Sequence, residues 1–166
     1  MLSEDAVLFR RFVVAVFQTQ SALLKHADVM NAPFGQTSAT WRVMIYISQG
    51  HTTVADIARS ADYSRQAVQR LADGLVAAGH ACYHKHPTDA RKQLIELTPD
   101  GEATLQSLED HYNEWVERLF GSLSTIDIVG LTQRLSHVEH VVEEDSRQFQ
   151  QKRQSKDRIT KTRKGK

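Results

Sequence analysis

The sequence predicts a mainly α protein with a small β wing: a winged helix-turn-helix with long terminal helices forming a dimerisation region. Three observations predict it. Two short amphipathic stretches, opening at Thr53 and Ser64, are separated only by Ala61-Asp62-Tyr63, as short a turn as a helix-turn-helix needs. Two strand-like runs, Ala81 to Lys85 and Gln93 to Leu97, bracket a polar tip, Pro87-Thr88-Asp89-Ala90-Arg91-Lys92. Apolar residues recur at helical spacing over long stretches at both ends of the chain. The expected organisation is a dimerisation helix and loop over 1–35, the winged helix-turn-helix over 36–98, dimerisation helices over 99–151 and a disordered basic tail over 152–166.

In chain order, residues 4–28 read as one helix. Phe9, Phe12, Val13, Val16, Phe17, Leu23 and Leu24 form a stripe broader than a lone helix needs, so burial against other helices or a second subunit is expected. Pro33 and Gly35 mark a loop. A helix follows from about Ser38, with Trp41, Met44, Ile45 and Ile47 apolar, and stops at Gly50. Thr53 with Asp56 resembles a capping box, and Val54, Ile57, Ala58 and Ala61 give the next short helix its apolar face.

The helix after it carries most of the information. Ser64 is suited to N-cap it, because a hydroxyl oxygen can accept from an otherwise unpaired backbone N–H. Tyr63 and Val68 sit where a hydrophobic staple would fix the entry angle. Val68, Leu71, Ala72, Leu75 and Val76 make one buried stripe, and Gly79 falls where a helix ends in a left-handed residue. Arg65, Gln66, Gln69 and Arg70 then lie on the other face. Arg can pair bidentately with guanine and Gln with adenine, while a capped helix N-terminus favours phosphate. Asp73 would repel phosphate, so it is expected to pair with Arg70 or to mark where the helix leaves the groove. The same polar face would also suit an ordinary solvated helix.

Beyond the hairpin, Thr98 as N-cap and Pro99 at the first helical position open a helix to about Gly121. Its stripe is Leu105, Leu108, Tyr112, Trp115, Val116 and Leu119. Ser124 with Asp127 opens a last helix carrying Ile128, Leu131, Leu135, Val138, Val141 and Val142.

On these residues the chain resembles the MarR family of bacterial transcriptional regulators. The matching segments are Thr40-Trp41-Arg42-Val43-Met44, Thr53-Val54-Ala55-Asp56-Ile57-Ala58, Ser64-Arg65-Gln66-Ala67-Val68-Gln69-Arg70-Leu71, Asp89-Ala90-Arg91 and Leu97-Thr98-Pro99-Asp100-Gly101. The order Asp-x-Arg, short strand, Leu-Thr-x-x-Gly is similar to the family's wing signature. A basic residue often found at the Ala90 position is missing, and Lys92 adds one nearby.

The resemblance implies a homodimer that binds a pseudo-palindromic operator in double-stranded DNA, acting as a repressor. Two-fold symmetry sets two recognition helices about one DNA turn apart, roughly 34 Å. Ser64, Arg65, Gln66, Gln69 and Arg70 are the expected major-groove residues. Arg91 and Lys92 are expected to reach the minor groove or backbone from the wing, with Asp89 holding Arg91. Family members are commonly released by a small, often phenolic effector. Trp41, Tyr46 and Tyr112 are the candidates to line its cleft, although as core residues they need no ligand.

Charge distribution fits this plan. The chain has a net charge of +1, but residues 41–97 carry +2, residues 98–151 carry −8, and residues 152–166, with eight Lys and Arg against one Asp, carry +7. Acid is thus expected to face away from DNA, with the tail a phosphate-binding arm or a solvated extension. One cysteine, Cys82, rules out an internal disulfide framework and suits a reducing cytoplasm. The N-terminus does not read as a signal peptide, and no apolar run reaches the length of a membrane span.

Chemistry is thinly represented. Cys82 has only Lys85 and nearby histidines to activate it, so an inert thiol is expected. His84 and His86 share a strand face with Cys82, and His137 and His140 lie about one helical turn apart, but no second ligand pair completes a metal site, so none is expected. No cofactor-binding loop and no nucleophile–base arrangement stands out, which argues against an enzyme. The alternatives to a DNA-reading regulator are a winged-helix protein-interaction module, which would need an apolar patch on the second helix of the motif, and a metal- or redox-sensing variant of the regulator.

Overall fold

The computed structural model describes residues 2–85 and 93–164, with side chains through residue 153. The order is α1 (Glu4–Asn31), a 3-10 turn (Ala32–Phe34), α2 (Ser38–Ser48), α3 (Val54–Ala61), α4 (Arg65–Ala77), β1 (Ala81–Lys85), β2 (Gln93–Leu97), α5 (Pro99–Phe120) and α6 (Thr125–Lys164). The fold is mainly α with one two-stranded antiparallel sheet, and Ala81 pairs with Leu97, Tyr83 with Ile95 and Lys85 with Gln93.

The chain forms two compact units, Met1–Trp115 and Val116–Lys166. The division falls inside α5, not at residue 98. The reason is that Leu105 and Leu108 are buried in the same core as the winged helix. That core joins Val43, Met44 and Ile47 of α2, Ile57 and Ala58 of α3, Val68, Ala72 and Leu75 of α4, Ala81 of β1 and Ile95 of β2. Each fully buried aliphatic side chain of this kind contributes about 1.5–3 kcal/mol.

Local chemistry sets the helix ends. Ser3 caps α1 by accepting from the Ala6 N–H at 3.2 Å. Thr37 and Thr40 form a reciprocal capping box at the start of α2. Thr53 caps α3 through the Asp56 N–H, but Asp56 does not complete the box as expected. Its carboxylate accepts from His51 Nδ1 at 2.8 Å and Arg59 at 2.9 Å instead. At the end of α4 the His80 N–H bonds the Leu75 carbonyl and the Gly79 N–H bonds the Val76 carbonyl, with Gly79 at φ +80°. This is the Schellman arrangement, and it satisfies two carbonyls the helix leaves open.

The Leu97-Thr98-x-x-Gly101 run has a steric explanation. The Thr98 hydroxyl donates to the Gly79 carbonyl at 2.6 Å, and the Thr98 N–H bonds the His80 carbonyl at 3.1 Å. That brings α5 against the turn before β1. A Cβ on Gly101 would overlap the His80 carbonyl oxygen.

Two expectations need correction. The tail expected to be disordered from residue 152 is helical, as α6 continues to Lys164. Its Lys, Arg and Gln residues are good helix formers, and it has neither Pro nor Gly before Gly165. The second concerns membranes. By length and composition, the stretch Glu4–Phe34 is long and apolar enough to cross one, and its most apolar window is not buried within the chain.

The apolar stripes at the ends are open. Along α1, Leu8 is 66% exposed and Phe17 63%, with Val7, Phe9, Val14, Leu23 and Leu24 also exposed. Along α6, Ile126 is 84% exposed, with Val129, Leu131, Leu135, Val141 and Val142 also exposed.

Candidate nucleic-acid interface

The helix-turn-helix is built from α3, Asp62, Tyr63 and α4. Asp62 takes the left-handed conformation, φ 54° and ψ 44°, and its side chain is of a type that tolerates that region. The Tyr63 N–H bonds the Ala58 carbonyl at 3.0 Å, which closes the turn. Helix α2 braces it from outside. Arg42 donates to the Ala61 carbonyl at 3.1 Å and lies 5.0 Å from the centre of the Tyr63 ring. Tyr46 donates to the Ser60 carbonyl at 2.8 Å. These braces escaped the sequence reading because each spans 14 residues or more.

Ser64 caps α4 as expected, its oxygen accepting from the Ala67 N–H at 3.1 Å. Val68, Ala72 and Leu75 are buried, and Tyr63 packs against their cluster. That leaves Arg65, Gln66 and Arg70 exposed on the first half of α4. Three guanidinium or amide groups therefore stand beside a helix N-terminus whose partial positive charge favours anions. Such a surface can neutralise phosphates and hydrogen-bond base edges.

Gln69 and Asp73 depart from expectation. Asp73 shows no pairing with Arg70 among the described residues. Its Oδ1 accepts from Gln69 Nε2 at 2.8 Å and from the Tyr83 hydroxyl at 2.8 Å. Gln69 Nε2 also donates to the Tyr83 oxygen at 2.9 Å. Gln69 and Asp73 are one helical turn apart, which makes their bond easy, while Tyr83 arrives from β1 and could not be placed by spacing. Burial, followed by the Asp73 carboxylate, pushes the Tyr83 phenol up to about 12, so it remains a hydrogen-bond donor at ordinary pH.

Asp89, Arg91 and Lys92, the expected wing contacts, lie outside the described residues, as does His86. The strands on either side of them in sequence, β1 and β2, are paired.

The three aromatic residues considered for an effector cleft do not form one group. Trp41 and Tyr112 have ring centres 5.4 Å apart, and Tyr112 continues to Trp115 at 5.7 Å. Tyr46 instead packs edge-on to His51 and serves the turn, because it lies on a different face of α2 from Trp41. A cleft of about 350 Å³, lined by residues including Ile47, Thr52, Ile95, Leu97, Glu102 and Leu105, involves none of the three. Among the described residues, the buried Trp41 Nε1 and both amide atoms of Asn31 have no hydrogen-bond partner.

The reactive groups are held in ordinary contacts. Cys82 Sγ is 3.1 Å from His84 Nε2, and that nitrogen is 3.4 Å from Glu96. Strand pairing sets Glu96 opposite Cys82. Among the described residues, no group of three or more His, Cys, Asp or Glu is arranged to hold a metal ion. Asp56 and Ser60 both approach His51 at Nδ1, at 2.8 and 3.5 Å, so they compete for one ring nitrogen and do not make a nucleophile–base–carboxylate relay.

Comparison with known proteins agrees with this geometry. Residues 34–92 match the model of the MarR family. An uncharacterised protein of Mycobacterium tuberculosis is 33% identical over 100 residues, which span 60% of this chain and 70% of that one, and one from Mycobacterium bovis matches equally. Among solved structures, the MarR family transcription regulator SP03579 superposes with a TM-score of 0.78 at 14% identity, covering 86% of this chain and 95% of that one. The repressor CouR, bound to a 23-mer DNA duplex, gives 0.73 at 20% identity, covering 84% and 99%. A mutant of E. coli MarR complexed with operator DNA gives 0.69 at 22%, covering 83% and 98%. At these identities the structural likeness concerns the fold.

Proposed function

This chain belongs to the MarR family, with the fold of its transcription regulators, and from that premise we propose that it is a sequence-specific DNA-binding regulator acting as a homodimer on a pseudo-palindromic operator. The observation that carries the proposal is the first half of α4. Arg65, Gln66 and Arg70 are exposed beside a capped helix N-terminus, while Val68, Ala72 and Leu75 behind them are buried and Leu71 and Val76 are half-buried. A protein-interaction module would need apolar side chains on that face. The DNA duplexes carried by CouR and by the E. coli MarR mutant support the same reading.

Dimerisation is supported by the open stripes of α1 and α6, whose apolar side chains need a covering surface. Two-fold pairing would supply it and set two α4 helices against successive major grooves. Arg91 and Lys92 on the wing complete each half-site by neutralising phosphate or entering the minor groove, with Asp89 orienting Arg91. Repression relieved by a small aromatic effector is the regulatory part of the proposal. It draws support from the Trp41–Tyr112 contact and the unpartnered Trp41 Nε1.

The test is binding to the DNA upstream of the protein's own gene, against a scrambled duplex, over a range of salt. Tight selective binding whose logarithm falls with log salt at about −0.9 per phosphate neutralised supports the proposal. Absence of binding at low salt overturns it in favour of a protein-interaction role. Arg91→Ala should weaken binding to the selected duplex without lowering thermal stability, and unchanged affinity removes Arg91 from the interface.

A further inference from the structure

Gln69 was expected to read adenine through both ends of its amide, but its hydrogen bonds restrict what it can offer. A glutamine amide has two N–H donors and one carbonyl acceptor. Here Nε2 donates to Asp73 Oδ1 at 2.8 Å and to the Tyr83 oxygen at 2.9 Å, two acceptors for its two hydrogens. The Tyr83 hydroxyl itself donates to Asp73 Oδ1 at 2.8 Å, which closes a triangle of three donors on two acceptor oxygens. The reverse amide orientation would set a carbonyl oxygen against the Asp73 carboxylate, which fixes Nε2 on this side. The phenol, raised to about 12, keeps its hydrogen at any working pH. Only Oε1 of Gln69 remains to offer a ligand.

We infer that Tyr83 and Asp73 are positioning residues for base recognition. By consuming both amide hydrogens they make Gln69 a carbonyl-only reader, selective for a base that carries an exocyclic amine in the major groove, adenine or cytosine. Guanine and thymine present oxygen acceptors at that place and are rejected. A free glutamine would instead favour adenine alone, because it could donate to N7 while accepting from N6. The hairpin thus acts on specificity from β1, through a side chain that touches no base. The inference rests on the DNA-reading role proposed for α4.

The experiment uses the intact protein and a panel of duplexes carrying each of the four bases at every position of a selected half-site. The wild type should show one position where adenine and cytosine bind comparably and guanine and thymine several-fold more weakly. Asp73→Ala and Tyr83→Phe each free one amide hydrogen, which is all a bidentate contact needs. Either variant should shift that position to adenine over cytosine by roughly tenfold. Asp73→Asn keeps an acceptor oxygen for Gln69 and removes the charge, so it should raise affinity for all duplexes alike and leave the base ratios unchanged.

A wild type that selects bases at α4 positions, with ratios unaltered in both Asp73→Ala and Tyr83→Phe, overturns the inference and leaves the DNA-reading role standing. A wild type that selects no duplex over another overturns both.

Discussion

The winged-helix head and the terminal helices share one kind of pattern, an apolar stripe at helical spacing, yet they satisfy it differently. In the head, Val43, Met44, Ile57, Val68, Leu75 and Ile95 are each buried by residues of the same chain. Along α1 and α6, Leu8, Phe17, Ile126 and Leu135 are exposed. The difference teaches where each region's stability comes from. The head has a core built from α2–α5 and the hairpin, and the start of α4 is capped by Ser64. The terminal helices carry an unspent hydrophobic driving force, which on the proposed reading is released on pairing with a second copy.

Breaking the head should cost most. Leu75→Ala removes a fully buried side chain and should destabilise the head by about 2–5 kcal/mol in denaturant unfolding. Phe17→Glu should do the reverse. Its side chain is already exposed in the single chain, so the head should stay folded, while self-association weakens by about 2 kcal/mol or more in a dilution series, as for a buried interface anchor. If Phe17→Glu unfolds the head and leaves association intact, the contrast between the two regions fails.

Smaller changes sharpen the contrast at element ends. Ser64→Ala removes the α4 cap and should cost about 1 kcal/mol of thermal stability, with a loss of DNA affinity as the helix start frays. Asp28 joins α1 to α2 by accepting the Ser38 N–H at 2.7 Å. That backbone bond holds its carboxyl below the usual 3.8. A depressed folded value means that its stabilising effect is present above pH 3.8 and is lost as pH falls further. Asp28→Asn should therefore separate slightly from the wild type near neutral pH, and acid titration should bring the two together.

Much of the head was legible because its signals are local. Ser64 as a cap, Gly79 as a helix stop and the pairing of Ala81–Lys85 with Gln93–Leu97 each follow from residues near in sequence. What was illegible depended on groups brought together by the fold. Asp73 has Arg70 as a sequence neighbour, yet the tertiary structure offers it Tyr83. Tyr46 was grouped with Trp41 and Tyr112 by residue type, although helix geometry points it toward the α2–α3 region and gives it the Ser60 carbonyl. Gly101 stood out as part of a motif, but the reason for it, the His80 carbonyl, lies across the hairpin. The basic tail was read by its lack of apolar residues, which governs packing but does not prevent a helix.

The central claim is that the head is complete within one chain and the terminal helices are completed by another. Sedimentation equilibrium of the intact protein across micromolar concentrations tests it most directly. A species of twice the chain mass, reduced to a folded single chain by Phe17→Glu, is the expected result. A wild type that remains a folded single chain over the whole range would contradict the claim.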